Sequence, residues 1–353
     1  MKLRVGGDVV AEEHLREWYR DHLVHQESWI SDIASALEDW LNDEEYISVQ
    51  TSGSTGKPKR IKNSKAAIIR SAEKTARYLG LKHGQSALNV LPTGFIAGRM
   101  MIYRALVSGL DLTCLAPKLD LSQSILSLSS EFDFCAMTPL QVETTLDQSP
   151  EAISKIGSLI IGGAPISAAL QERIALLDTM CFATYGMTET ITHVAMRALN
   201  HPAPEQHYTA IEGVRFETED GCLVIYADHI DQAVVKTTDI VELMSDRSFV
   251  WKGRADHVIN RGGVKLHPEL IELQLAPALS QRFFIGRRGA DQVGEEPVLI
   301  IEGSEKDLDD IYAVLNRLPK LWRPAEVHFV SRLEKTESGK IIRDISRYDI
   351  STK

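Results

Sequence analysis

A glycine-rich segment near residue 51 carries the strongest chemical signal in this sequence. The segment reads Thr51-Ser52-Gly53-Ser54-Thr55-Gly56-Lys57-Pro58-Lys59. Its glycines permit tight backbone turns, so successive N–H groups can face one concavity and bind phosphate oxygens. The hydroxyl groups add hydrogen-bond donors, and the lysines add positive charge. The pattern predicts a loop that binds a polyphosphate, and a plain flexible turn of this composition is the alternative.

The spacing of this segment differs from that of a Walker A loop. Only two residues separate Gly53 from Gly56, and Pro58 follows Lys57. A Walker A loop has a longer spacing between its glycines and a Ser or Thr directly after its lysine. We therefore expect a phosphate loop of another class.

Two segments that follow apolar runs could complete a nucleotide site. In Ile161-Gly162-Gly163-Ala164-Pro165, the paired glycines would let a flat ligand approach the backbone closely, although an ordinary turn has the same pattern. The second segment reads Thr184-Tyr185-Gly186-Met187-Thr188-Glu189-Thr190. It offers an aromatic face for a base, hydroxyl groups for phosphate and the carboxylate of Glu189 for a cation such as Mg²⁺.

Three later segments supply an aspartate, a junction and a lysine. Asp239, after two threonines, could accept both hydroxyls of a ribose, and an exposed turn aspartate is the alternative. Arg254 and Asp256 lie in a glycine-containing stretch, residues 251–265. Lys340 lies in a glycine turn followed by two apolar residues, which favours an aimed lysine over a solvated tail.

Composition excludes several classes of partner. The net charge of −10 disfavours nucleic acids and anionic membranes, so we expect small-molecule substrates. No apolar run is long enough to span a membrane, and the first residues lack a signal-peptide core. The cysteines form no CxxC pair and lie in apolar surroundings, which predicts buried free thiols; they are Cys114, Cys135, Cys181 and Cys222. These features predict a cytoplasmic protein. Its oligomeric state is left open, with a homodimer as one candidate.

The order of apolar patterns predicts an α/β fold with two domains. Residues 10–41 have helical periodicity, and residues 46–50 form a strand before the phosphate loop. Short apolar runs then alternate with helical patterns, which favours mostly parallel sheet. From about residue 206 the pattern changes to short strands, a small β-rich subdomain. We predict a large N-terminal domain over residues 1–254 and a small, mobile α+β domain over residues 255–353.

The order of these motifs resembles the adenylate-forming superfamily of acyl-CoA ligases, luciferases and peptide-synthetase adenylation domains. The resemblance covers residues 46–345, and the most specific motifs are residues 51–59 and 185–189. Within the superfamily the chain most resembles the o-succinylbenzoate–CoA ligases of menaquinone biosynthesis, on residues 237–243, 249–254 and 258–269. That similarity implies adenylation of 2-succinylbenzoate by ATP with Mg²⁺, followed by acyl transfer to coenzyme A.

The resemblance also implies roles for individual residues. Lys340 would be catalytic, together with Thr188 and Glu189, and Glu189 would ligate Mg²⁺. Asp256 would be the hinge between domains. The ATP-binding residues would be Thr51, Ser52, Gly53, Ser54, Thr55, Gly56, Lys57, Gly163, Ala164, Tyr185, Gly186, Met187, Asp239 and Arg254.

Two arginines on an apolar helix bear on the acid substrate. Arg99 and Arg104 have no use in a pocket for plain fatty acids, but a buried second carboxylate would need such a partner. Alternatively both lie on a solvated helix face. Gly162 and Phe95 would line the same acyl pocket, and Phe95 stands where the superfamily often has a histidine.

The resemblance departs from the family pattern at the N-terminus. The phosphate loop lies near residue 51, whereas such enzymes usually carry a much longer segment before it, so we expect an abbreviated first domain. Another aryl- or acyl-CoA ligase is the alternative function. A non-catalytic nucleotide-binding module is a further alternative, which the presence of Lys340, Glu189 and Asp239 disfavours.

Replacing Lys340 tests the predicted role of the C-terminal lysine. Lys340→Ala should slow adenylate formation by orders of magnitude, since a preorganised charge contact contributes about 3 kcal/mol or more to transition-state stabilisation. Thioester formation from a supplied acyl adenylate should be spared. Both half-reactions are measured separately, and an equal loss in the two would make Lys340 a structural residue.

Overall fold

The structure is a computed structural model, and it describes residues 1–50, 60–276, 278–279, 281–290, 294–304, 308–335, 341–348 and 350. Numbered in chain order, the strands are β1 (Lys2–Val5), β2 (Asp8–Ala11), β3 (Tyr46–Gln50), β4 (Arg60–Ser64), β5 (Ser86–Asn89), β6 (Asp111–Cys114), β7 (Phe132–Met137), β8 (Ile156–Ile161), β9 (Met180–Gly186), β10 (His193–Ala198), β11 (Tyr208–Ala210), β12 (Val214–Glu219), β13 (Cys222–Ala227), β14 (Val234–Ser245), β15 (Ser248–Arg254), β16 (Ile259–Arg261), β17 (Val264–Leu266), β18 (Phe283–Ala290), β19 (Gly294–Glu302) and β20 (Glu326–Val330). The α-helices are α1 (Leu15–His22), α2 (Ser28–Leu41), α3 (Lys65–Leu79), α4 (Ile96–Ser108), α5 (Ser122–Leu126), α6 (Pro139–Gln148), α7 (Pro150–Ser154), α8 (Ala168–Ile174), α9 (Pro268–Leu275) and α10 (Leu308–Leu315).

A large mixed sheet organises most of the chain. Its strand order is β12-β13-β14-β15-β11-β10-β9-β8-β7-β5-β6-β1-β2. Strands β9, β8, β7, β5, β6 and β1 pair in parallel, and the strands from β10 to β15 pair antiparallel. The predicted α/β class is therefore confirmed. The predicted β-rich part continues the parallel part through the β9–β10 pair, within one sheet.

A smaller sheet follows β15. Strands β17, β16, β19 and β18 are neighbours in that order, and β20 pairs with β19 in parallel. Side chains along β19 alternate between two faces, as strand geometry requires. Leu299 and Ile301 pack with α9 and α10, whereas Val298 and Ile300 pack with Phe284 and Tyr348 on the other face. This part of the chain is the predicted small α+β unit, and its mobility stays a prediction.

The N-terminal region corrects one sequence-based prediction. The prediction of a single helix over residues 10–41 is wrong. Strands β1 and β2 form a hairpin whose turn residues, Gly6 and Gly7, have φ values of +59° and +96°. The helical part is divided between α1 and α2. In the connection, the Glu27 N–H donates to His25 Nδ1 at 3.1 Å, so a side chain satisfies a backbone donor outside the helices.

The cysteines are free, as the sequence predicts. Cys114, Cys135 and Cys181 are buried, and Cys222 is half-buried. Burial raises the pKa of the Cys114 and Cys181 thiols to about 12, which makes them unreactive near neutral pH. In the described part of the chain, no helix is long and apolar enough to cross a membrane.

One exposed carboxylate joins the β3–β4 hairpin to the large sheet. Asp231 accepts hydrogen bonds from the Ser64 N–H and the Ser64 hydroxyl, both at 2.6 Å. The Ser64 Oγ in turn accepts from the Ala67 N–H at 3.1 Å and caps α3. Asp231 therefore fixes both the end of β4 and the start of α3, next to the predicted phosphate loop.

Removing this carboxylate should weaken the junction. We expect Asp231→Ala to lower the free energy of unfolding by about 1 kcal/mol, because two hydrogen bonds to an ionised group are lost at an exposed site. Urea unfolding followed by circular dichroism gives the change. Asp231→Asn keeps one side-chain acceptor and should lose less. An unchanged urea midpoint for the alanine variant would contradict the anchoring role.

Candidate nucleotide and acyl site

The two glycine-containing motifs lie at one edge of the large sheet. Strands β8 and β9 are parallel neighbours, so the residues after their carboxyl ends are adjacent. Gly162, Gly163 and Ala164 follow β8, while Tyr185 and Gly186 end β9. In open α/β sheets, ligands bind outside the carboxyl ends of parallel strands. The structure thus brings four predicted ATP-binding residues together with Gly162, which is predicted to line the acyl pocket.

Each glycine at this edge of the sheet is required for a different structural reason. A Cβ at Gly162 would lie 2.2 Å from Thr184 Oγ1, so the strand ends are packed too closely for a side chain. A Cβ at Gly186 would lie 2.3 Å from the Thr192 carbonyl oxygen. Gly163 has a φ of +90° and open space around the position of a Cβ. Its exposed backbone is therefore accessible, and its contact with a flat ligand stays a prediction.

Asp239 lies at the centre of a buried hydrogen-bond network. Tyr185 donates its hydroxyl to Asp239 Oδ2 at 2.6 Å, and the Trp251 indole donates to Oδ1 at 3.2 Å. The Asp239 N–H donates to Thr237 Oγ1 at 3.1 Å. Burial raises the pKa of Tyr185 well above its usual value, and the neighbouring carboxylate acts in the same direction. The phenol therefore stays protonated and serves as a donor, and Asp239 is not an exposed turn residue.

A short turn presents Thr188 and Glu189 beside this network. The Thr190 hydroxyl accepts from the Met187 N–H at 3.0 Å and lies 2.7 Å from the Thr192 carbonyl oxygen. Ile191 is fully buried and has a φ of +67°, a positive value that a β-branched residue rarely adopts. Glu189 is exposed.

The predicted Mg²⁺ site has Glu189 as its single carboxylate among the described residues of this turn. Across the described residues there is no group of three or more His, Cys, Asp or Glu side chains able to hold a metal ion. A Mg²⁺ at Glu189 would therefore take its other ligands from nucleotide phosphates and water, which suits a cation that keeps several waters.

The two arginines of α4 have different surroundings. Arg99 forms an ion pair with Asp39 and donates to the Thr93 carbonyl at 3.0 Å, so its guanidinium is already paired. Arg104 is 2% exposed, and its contacts are weak ones to Met101 Sδ at 3.5 Å and Thr192 Oγ1 at 3.4 Å. Neither side chain lies on a solvated helix face. Phe95, at the N-terminus of α4, is half-buried.

Arg104 carries a buried charge without a counter-ion. No carboxylate among the described residues comes within 4.0 Å of its guanidinium, and its Nε has no hydrogen-bond partner there. Its guanidinium carbon lies 5.7 Å from the centroid of the Phe134 ring. Burial lowers the pKa of Arg104 to about 10, so the group stays charged near neutral pH. Such a charge is costly unless an anion pairs with it.

Several polar and charged side chains contact one another in and after the segment that follows β15. Arg254 donates two hydrogen bonds to the Asp256 carboxylate, at 2.9 and 2.8 Å. His257 lies 2.6 Å from Glu269 of α9. Arg343, which follows the predicted lysine turn, donates two hydrogen bonds to the Glu272 carboxylate. The predicted hinge residue thus lies within a cluster of ion pairs at the junction.

Some predicted residues fall outside the described part of the chain. They are the phosphate-loop residues 51–57 and Lys340. The flanking elements are described: β3 and β4 pair directly before and after the first segment, and Lys335 forms a bridge with Ile341 around the second. Their roles stay predictions.

Sequence reasoning overlooked several partners of the site. Trp251 lies within a stretch that the sequence singles out, but its bond to Asp239 follows from the β14–β15 pairing. Thr192 and His193 carry no motif and become relevant only because β10 pairs with β9. An indole is a donor only, so a nearby carboxylate could have been sought for Trp251.

Comparisons with known proteins agree with this geometry. A family model described as AMP-binding enzyme matches residues 11–216. The chain is 23% identical to 2-succinylbenzoate–CoA ligase of Lactococcus lactis over 95% of this chain and 78% of that protein. It is 24% identical to the ligase of the same name from Bacillus pumilus, over 83% of this chain and 66% of that protein. It therefore spans about two thirds to four fifths of these relatives.

Solved structures share the fold. The acyl-CoA synthetase (AMP-forming)/AMP-acid ligase II-like protein from Dyadobacter fermentans matches with a TM-score of 0.60 and 31% identity, over 92% of this chain and 95% of that chain. The o-succinylbenzoate coenzyme A synthetase from Bacillus subtilis, solved with ATP and magnesium ion, matches with a TM-score of 0.72 and 20% identity. The match covers 85% of this chain and 69% of that chain. The resemblance found in the sequence is confirmed, and the chain belongs to the AMP-binding enzyme family.

Proposed function

We propose that this protein is an ATP-dependent acid–thiol ligase that adenylates 2-succinylbenzoate and transfers the acyl group to coenzyme A, as in menaquinone biosynthesis. Relatives named for that reaction support the general activity. The observation that carries the choice of acid is Arg104, a buried guanidinium with no carboxylate partner among the described residues. A cytoplasmic location and small-molecule partners belong to the same proposal.

The reaction has two steps. In the first, a substrate carboxylate oxygen bonds to the α-phosphorus of ATP, and pyrophosphate leaves. In the second, the thiolate of coenzyme A attacks the acyl carbon, and AMP leaves. The protein's part in the first step is to hold the reactants in line and to balance growing negative charge.

The described residues suit the nucleotide in three ways. The open backbone at Gly163 and the aromatic ring of Tyr185 offer surfaces for a flat base. Asp239 would accept ribose hydroxyls, which requires that they replace one of its present donors. Exposed Glu189 would ligate Mg²⁺ together with the phosphates. The predicted loop at residues 51–57 and Lys340 would contact the phosphates themselves.

The chemistry of the acid follows from the contrast between the two arginines. Arg99 is neutralised by Asp39, so a substrate carboxylate there would have to compete with an existing ion pair. Arg104 has no such competitor within the described chain, and it lies close to the turn that ends in Thr192. An acid with a second carboxylate would supply the missing counter-ion, whereas a plain fatty acid would leave the guanidinium unpaired.

Another aryl- or acyl-CoA ligase is the alternative function. ATP–pyrophosphate exchange separates the candidates, with 2-succinylbenzoate, benzoate and medium-chain fatty acids as test acids. We expect exchange with 2-succinylbenzoate to exceed that with the other acids. Exchange with none of them would favour a non-catalytic nucleotide-binding module.

Arg104→Leu tests the substrate assignment. The KM for 2-succinylbenzoate should rise strongly, by about tenfold or more, because a buried substrate carboxylate would lose its charged partner. The KM for ATP should change little. The matched acid 4-oxo-4-phenylbutanoate, which lacks the ring carboxylate, should lose nothing and could gain. Arg104→Lys keeps the charge and should give an intermediate KM.

Arg99→Leu serves as the comparison on the same helix, and steady-state kinetics on both acids give the result. An effect of Arg99→Leu confined to stability would separate the two arginines. An unchanged KM for the dicarboxylate in Arg104→Leu would withdraw 2-succinylbenzoate as the substrate and leave an acyl-CoA ligase for another acid.

Asp256→Pro tests the predicted hinge. Proline fixes φ at its own position and restricts Ala255 before it, so it should trap one arrangement and slow one half-reaction about tenfold or more. Asp256→Ala is the matched control, since it removes the carboxylate that pairs with Arg254 without restricting the backbone. Rapid-quench measurement of each half-reaction checks this. Equal rates in the proline and alanine variants would place the hinge elsewhere.

A further inference from the structure

A chain of side-chain contacts runs behind Arg104, through residues that no motif singles out. The Arg104 guanidinium lies 3.4 Å from Thr192 Oγ1, and Thr192 Oγ1 lies 3.3 Å from His193 Nδ1. His193 Nε2 lies 3.1 Å from Thr75 Oγ1, which donates to the Ser71 carbonyl at 3.1 Å. The chain thus links α4, the start of β10 and α3.

The central residues of this series of side-chain contacts, His193 and Thr75, are buried. His193 is 4% exposed, and Thr75 is completely buried. Burial lowers the pKa of His193 well below its usual value, and nearby Arg104 and His229 act in the same direction. The imidazole is therefore neutral at neutral pH, with one donor and one acceptor nitrogen.

The first and last groups of this series, the Arg104 guanidinium and the Ser71 carbonyl, fix the direction of its hydrogen bonds. A guanidinium only donates, so Thr192 Oγ1 accepts from Arg104. The Ser71 carbonyl only accepts, so Thr75 gives it its single hydroxyl proton. Thr75 can then only accept from His193, which requires the proton on Nε2. His193 Nδ1 is left to accept from the Thr192 hydroxyl. With the proton on Nδ1 instead, the one proton of Thr75 could not serve both His193 and Ser71.

We propose that His193, as its Nε2–H tautomer, is a positioning residue that orients Arg104 through the Thr192 hydroxyl toward the second carboxylate of the acid substrate. With its proton directed to His193, Thr192 presents lone pairs to the guanidinium and holds one of its edges. The Nε, which has no partner in the described chain, is left for the acid. This inference rests on the proposed function, because it assumes that Arg104 binds a substrate carboxylate.

The geometry around His193 connects it to the candidate site. His193 is the cross-strand partner of Gly186, and the register shifts between His193 and Ala195. A side chain at position 186 would collide with the Thr192 carbonyl oxygen and with the His193 Cα, at 2.3 and 2.6 Å. The backbone that carries Thr192 and His193 is thus held directly against the end of the Tyr185-containing strand.

Kinetics on two acids tests the positioning role. For His193→Leu we expect the KM for 2-succinylbenzoate to rise about tenfold, since one oriented hydrogen bond is lost, while kcat and the KM for ATP change less than about twofold. The KM for 4-oxo-4-phenylbutanoate should not move. His193→Gln keeps one acceptor and one donor and should restore the KM to within about threefold of the unmodified protein.

Thr75→Val breaks the chain at its far end with a side chain of similar shape, and it should shift the same KM in the same direction. Equal KM changes for the two acids, or a fall in kcat with KM unchanged, would make the chain a structural tie and overturn the proposal. If His193→Leu does not fold, the Gln and Thr75→Val variants carry the comparison.

Nitrogen-15 NMR of histidine-labelled protein gives a test that needs no substrate. The His193 signals are assigned by their absence in His193→Gln. At pH 7.5 we expect the shifts of a neutral ring protonated on Nε2, and an Nδ1–H ring would overturn the proposal. Absence of turnover of 2-succinylbenzoate by the unmodified protein would be a failure of the proposed function. Turnover with normal discrimination by His193→Leu would be a failure of this inference alone.

Discussion

The pairing of β9 with β10 is the constraint on which the site depends. At this pair the large sheet changes from parallel to antiparallel, and the chain reverses through the Met187–Thr190 turn. The reversal is possible only because Gly186 has no side chain, as a Cβ there would overlap the Thr192 carbonyl. From β10 the sheet continues through β11 and β15 to β14, and so carries Asp239 to Tyr185. One backbone contact therefore fixes the relation between the aromatic ring and the carboxylate.

The burial of charged side chains is the second constraint on the site. Two arginines lie one helical turn and a residue apart on α4, yet their electrostatic situations differ. Arg99 shares its charge with Asp39, and the pair is self-contained. The hydrogen bonds of Arg104 go to a thioether and a hydroxyl among the described residues, and its guanidinium lies over an aromatic ring. Moving a charge from water into such surroundings costs several kcal/mol. At Arg104 no carboxylate of the described residues offsets that cost, which supports the proposal that this residue binds an acid.

The sequence predicts the residues of the site better than the contacts among them. Local signals suffice to predict Gly163 and Tyr185 as candidate residues at strand ends, since a strand followed by glycine or a motif is visible in a short window. The bond between Tyr185 and Asp239 joins residues far apart in the chain and follows from strand order, which periodicity does not specify. The same limit hides His193, a lone histidine without spacing partners. The helix predicted over residues 10–41 fails for a local reason, because hydrophobic spacing registers neither the end of β2 nor the break between α1 and α2 at residues 23–27.

Ile191 gives the region a particular thermal behaviour. Its positive φ costs about 1–3 kcal/mol, and burial of its side chain returns a comparable amount, about 1.5–3 kcal/mol. The turn that holds Thr190 and Thr192 is therefore kept in shape by the packing of the core around one side chain. We expect warming that loosens this packing to remove the compensation before the sheet separates. The polar groups of the site then belong to a unit that opens at lower free energy than the strands that carry it.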